Sequence, residues 1–82
     1  MATVHRFGAY RVVIYPNDHR PPHVHVIGPD GEAVFVLRGR AGRPTIREVR
    51  GLDFRQAAAI ARELEQAAAR LLDAWEAIHG GN

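Results

Sequence analysis

One stretch limits the fold more than any other: residues 54–79 contain neither glycine nor proline and are rich in alanine. Proline breaks helices, glycine weakens them, and alanine is the best helix former. Asp53 is a good N-cap for this run, and Gln56 three residues later completes a capping-box variant. Ile60, Leu64, Ala67, Leu71, Trp75 and Ile78 recur at alternating four- and three-residue steps, so one face carries an apolar stripe. Gly80 and Gly81 stop the run, with a left-handed cap expected there. His79 in the last turn favours the negative end of the helix dipole when protonated. A single helix over 54–79 would be roughly 38 Å long. In a chain of 82 residues such a rod must break once or run past the rest of the body towards a partner.

The preceding residues supply a surface for that stripe. Four segments read as strands, over about 7–15, 23–27, 32–38 and 45–49, because they are rich in Val, Ile, Tyr and Phe and are bounded by turn residues. Pro16-Asn17-Asp18 and Pro21-Pro22 end the first, since proline cannot donate to a ladder and restricts the residue before it. Gly28-Pro29-Asp30-Gly31 is a strong turn signal between the second and third. The expected architecture is α+β: a small antiparallel sheet of three or four strands with one long C-terminal helix packed on one face. Length allows a single domain over 1–82.

Registers follow from the turns. A first hairpin pivoting near His19 sets His25 opposite Val13. A second pivoting at Pro29-Asp30 sets His25 opposite Val34. Side chains alternate between faces. One face then collects Tyr10, Val12, Ile14, Val24, Val26, Ala33, Phe35 and Leu37, and should meet the helix. The other collects Arg11, Val13, Tyr15, His23, His25, Ile27, Glu32, Val34 and Val36. A one-residue slip would exchange the two sets, and the chosen register gives the cleaner apolar face.

The second face is where chemistry concentrates. Three of the five histidines fall within the run Asp18-His19-Arg20-Pro21-Pro22-His23-Val24-His25. His23 and His25, two apart on a strand, point the same way. His19 and Asp18 overhang them from a loop stiffened by two prolines. Three readings compete. In the first, His23 and His25 with His19 or Asp18 bind a divalent transition metal such as zinc or nickel, leaving an open position as catalytic sites do. In the second, the histidines act on RNA as general base and acid, with Arg11 and Arg20 placed to stabilise phosphate charge and Tyr15 stacking or donating a hydrogen bond. In the third, the histidines are structural or belong to a protein interface. The catalytic candidates are therefore His19, His23, His25, Arg11 and Tyr15, and the metal candidates Asp18, His19, His23 and His25. The chain contains no serine, and its glycines form no phosphate-cradling motif.

Charge and composition narrow the setting. All eleven basic residues are arginine. Residues 1–50 hold eight of them against four acids; residues 51–82 hold three against five. The stretch 38–50 has five arginines and one glutamate, a patch that can face phosphates or an acidic partner, or remain a solvated loop. Cysteine is absent, which excludes disulfides and suits a reducing compartment. A domain this small needs other support, and a metal or a homodimer would supply it. No window approaches the ~20 apolar residues of a membrane span, and the N-terminus lacks a secretion signal, so a cytoplasmic location with no membrane contact is expected.

Several stretches together resemble a known family. Val4-His5-Arg6-Phe7-Gly8 leading to Val12-Val13-Ile14-Tyr15, the Asp-His-x-Pro-Pro-His-x-His run at 18–25, and Leu71-Leu72-Asp73-Ala74-Trp75-Glu76 are similar to the small bacterial proteins grouped as domain of unknown function 4160. The resemblance implies a place in a two-gene, toxin–antitoxin-like module beside a small cognate partner protein. It implies no catalytic residues. A ribonuclease-like or metal-dependent hydrolase would use the His/Arg face; a non-catalytic protein-binding module would use that face or the helix as an interface.

Overall fold

The computed structural model describes residues 1–80. Five strands form one antiparallel sheet: β1 (Ala2–Phe7), β2 (Tyr10–Ile14), β3 (His23–Ile27), β4 (Glu32–Val36) and β5 (Thr45–Arg50), in the order β1-β2-β3-β4-β5. Two helices follow, α1 (Phe54–Gln66) and α2 (Ala68–Ile78). The α+β class is as expected, with one strand more and one helix divided. Among the described residues no helix is long and apolar enough to cross a membrane.

The extra strand comes from the segment expected as one strand over 7–15. It is the end of β1 and the whole of β2, joined by a two-residue turn with Phe7 opposite Tyr10. Gly8 has φ 56° there, the positive value that such a turn needs at its first position and that glycine adopts without strain. The next two hairpins keep the expected registers: Val13 opposite His25, and His25 opposite Val34.

The helix divides at Ala67, whose φ and ψ of −110° and 11° leave the helical region. Five strands at about 4.8 Å spacing are only ~19 Å wide, so a straight ~38 Å rod crossing them would overhang. The break keeps both halves on the sheet, with α1 against β5 and α2 against β1. The capping box at Asp53 and Gln56 forms as expected. At the other end, the His79 backbone N–H donates to the Trp75 carbonyl. Gly80 follows with φ 76°, while Gly81 lies outside the described residues.

The core lies between the sheet and the helices. Val12, Ile14, Val24, Val26, Ala33, Phe35 and Leu37 meet Ile60, Ala61, Leu64, Ala67, Leu71 and Trp75. This is the predicted face against the predicted stripe. Small alanines at 57, 61, 67 and 68, all buried, let the helices approach closely. The opposite face of the sheet carries no helix, and the candidate side chains His23 and His25 stand on it.

Candidate metal centre

The loop between β2 and β3 assembles the centre. Tyr15-Pro16-Asn17-Asp18 closes as a turn: the Asp18 N–H donates to the Tyr15 carbonyl at 3.1 Å. Proline at the second position presets its φ. The Tyr15 N–H donates in return to Asp18 Oδ2 at 3.1 Å. These two bonds hold the carboxylate over β3. Pro21 and Pro22 then lead back into the sheet, where the Pro22 carbonyl accepts from the Leu37 N–H at 2.9 Å.

Three side chains converge beneath this loop. Asp18 Oδ1 lies 3.5 Å from His23 Nε2, and Oδ2 lies 3.3 Å from His25 Nε2. One ligand atom from each of Asp18, His23 and His25 falls within 4.8 Å of the others. The two imidazole rings meet edge-on with centroids 5.3 Å apart. The cluster is well shielded, with side-chain exposures of 13%, 8% and 20% for Asp18, His23 and His25.

Hydrogen bonding distinguishes the ring nitrogens. His23 Nδ1 is 2.9 Å from the Pro21 carbonyl. A carbonyl only accepts, so Nδ1 carries the proton in the neutral ring and Nε2 presents its lone pair to Asp18. Metal-binding histidines are oriented by this kind of outer contact. His25 Nε2 is sealed from solvent and has no aligned hydrogen-bond partner, although Asp18 is within reach by distance. A buried polar atom left in this state is costly. Donors bound tetrahedrally at about 2.0–2.1 Å from one ion sit roughly 3.4 Å apart; each histidine lies near that distance from a different oxygen of Asp18, and the three donors fall within 4.8 Å of one another. Two histidines and one carboxylate form the donor set of zinc hydrolase centres and of non-haem iron centres, and open positions remain for water or substrate.

The other expected site residues are scattered. Tyr15 packs its ring edge-on against His25 at 4.7 Å. It joins His25, Glu32, Glu48 and Arg50 around one cleft. His19 is exposed and stands outside the three-residue cluster. It lines a second cleft of about 220 Å³ with Asn17, Asp18, Arg20, His23 and Arg47. Arg11 lies at the far end of β2, paired with Ile27, and lines neither cleft. Arg20 turns towards the helices, donating to Glu76 at 2.8 Å with its guanidinium 5.0 Å from the Trp75 ring centroid. His79 stacks on Trp75 at 3.7 Å, and its Nδ1 donates to the Trp75 carbonyl at 2.8 Å, in keeping with an end-capping role. His5 is on the edge strand beside Phe7.

Arg47 was not among the expected site residues. The β4–β5 ladder pairs Val34 with Glu48 and Phe35 with Ile46, which leaves Arg47 as the extra residue of a bulge. A bulge redirects a side chain out of the strict alternation. Arg47 and Glu48 thereby both serve the helix-free face. Three arginines of the basic stretch are paired with acids, Arg40 with Asp73, Arg43 with Glu65 and Arg50 with Glu48, while Arg38 donates to the neutral Thr45 hydroxyl.

A family model described as a domain of unknown function, DUF4160, matches residues 9–76. Nothing among the curated proteins or the solved structures matches the chain. The matched region holds all three clustered side chains and every strand and helix but β1 and the last two residues of α2, and the chain belongs to the DUF4160 family.

Proposed function

We propose that this domain binds a divalent transition metal, zinc or nickel, through Asp18, His23 and His25, and keeps an open position on the ion for a hydrolytic substrate. The convergence of the three side chains around the buried, unpartnered His25 Nε2 carries this reading. When bound, the ion would act as a Lewis acid and lower the pKa of a coordinated water. The protein's part is to fix the ligands: the Pro21 carbonyl holds His23, and the Tyr15 N–H holds Asp18. Calorimetric titration with zinc and nickel, with elemental analysis of purified protein, tests the proposal. A Kd tighter than ~10 μM is expected, weakened at least ~100-fold in His23→Ala and His25→Ala. Absence of binding by the folded wild-type protein removes the reading.

A second reading has its own support. Val34 and Val36 are only half-buried on a sheet face that no helix covers. A non-catalytic protein-binding module would dock a small cognate partner of a toxin–antitoxin-type module there, or a second copy of the chain. Under this reading Val34→Arg abolishes complex formation on co-expression with such a partner.

A further inference from the structure

Two clefts flank the histidine pair, and they differ in charge. The cleft on the His25 side is lined by Glu32, Glu48 and Arg50, with an excess of acid. The cleft on the His23 side is lined by Asn17, Asp18, His19, Arg20, His23 and Arg47. Its single carboxylate is the one proposed to bind the ion. Arg20 is offset by Glu76. Arg47 alone of the arginines in 38–50 has no side-chain hydrogen bond or ion pair among the described residues. It reaches this face only because the β5 bulge turns it there.

We infer that the His23-side cleft is a phosphate subsite, with Arg47 anchoring an oxyanion that also reaches the open position of the metal. This rests on the metal reading. With a divalent ion on Asp18 and two neutral histidines, the cleft gains net positive charge, and Arg47 raises it further. A guanidinium presents two parallel donors that match two oxygens of one anion. A carboxylate has only two oxygens, so filling that fork leaves the ion an oxygen already engaged by the guanidinium. A phosphomonoester has three terminal oxygens and can give two to the fork and one to the ion, whereas a diester has only two. Asn17 and His19 at the rim offer further donors. A phosphomonoester supplies that third oxygen; the diester backbone of RNA would have to share one oxygen between the fork and the ion.

The test uses full-length protein titrated first with zinc, then with phenyl phosphate, dimethyl phosphate and acetate as separate probes. Arg47→Gln is the variant; Arg47 is exposed and outside the core, and its melting temperature is expected to match wild type. Expected results are unchanged zinc affinity and at least tenfold weaker binding of the preferred phosphate ester. Tighter binding of phenyl phosphate assigns the subsite to monoesters, and of dimethyl phosphate to a nucleic-acid backbone. Equal ester affinity in wild type and Arg47→Gln overturns the subsite while leaving the metal centre standing. Acetate binding as tightly as the better ester also overturns it. Failure of zinc to bind overturns the metal centre instead, and Arg47-dependent ester binding to the metal-free protein then shows that the anion subsite stands without it.

Discussion

The two faces of the sheet are built from the same five strands and obey different rules. On the helix side, Val12, Ile14, Val24, Val26 and Phe35 are fully buried and the contacts are apolar throughout. On the other side no helix is present, yet Val13 is fully buried and His23 is 6% exposed. The covering there is the loop 15–22, which folds Asp18 over β3. The first face buries area to hold the chain together. The second uses a thin polar layer to hold the three converging side chains Asp18, His23 and His25 in register. A small domain can afford only one full core, so the second face is where polar groups can be shielded without interrupting it.

The contrast is tested most severely by matched truncations on adjacent residues of β4. Phe35→Ala removes a fully buried ring from the core and should cost about 3–5 kcal/mol. Domains of this size are stable by only about 5–15 kcal/mol in total, so much of the cooperative unfolding transition should be lost. Val34→Ala, one residue away on the helix-free face and half-buried, should cost under about 1.5 kcal/mol. Urea denaturation of both variants measures the difference. Equal losses would mean that the loop-covered face is a second core.

The next largest effect belongs to the ligating groups. An ion that binds only the native state at one hundred times its Kd stabilises by about 2.7 kcal/mol. For a domain of this size that should raise the melting temperature by more than ~10 °C. Asp18→Asn keeps the shape of the side chain and removes its charge, so the zinc-dependent rise should largely disappear. Phe35→Leu, on the other face, should lower the starting melting temperature and leave the rise intact. Melting curves with and without zinc separate the two. A rise that survives Asp18→Asn places the ion elsewhere.

The sequence made the two faces legible because alternation along Val12–Ile14, Val24–Val26 and Ala33–Leu37 is unbroken, and turn residues set each register. The convergence of Asp18 with His23 and His25 followed from that. Arg47 was missed, although a signal was present. Ile46 and Val49 are the apolar residues of β5, lie three apart, and both pack towards the core. Strict alternation cannot place two such residues on one face, so a bulge between them was required. On β1 the register shift falls at Val4 itself, which packs against the core together with Phe7. The break at Ala67 had no local signal, since Gln66-Ala67-Ala68 is good helix sequence. It is imposed by the width of the sheet that the helices must cover.

The smallest effect concerns the charges that link sheet and helix layers. The arginine-rich loop after β4 is tied to the helices by exposed pairs, of which Arg40 with Asp73 is bidentate. The hydrogen bonds from Arg40 hold the Asp73 carboxyl below its ordinary value. A carboxyl whose folded pKa is depressed contributes stability above the unfolded value and loses it as pH falls through the folded one. The pair should therefore matter at neutral pH and fade in acid, below the usual carboxylate range. Both groups are fully exposed, and exposed pairs are strongly screened. Arg40→Gln should move the Asp73 titration, followed by NMR, upward towards the ordinary range. The melting temperature at neutral pH should stay within error, and the zinc-dependent rise should be unaltered. A marked loss of zinc affinity in Arg40→Gln would show that the helix-side charges and the helix-free face are coupled through the loops that join them.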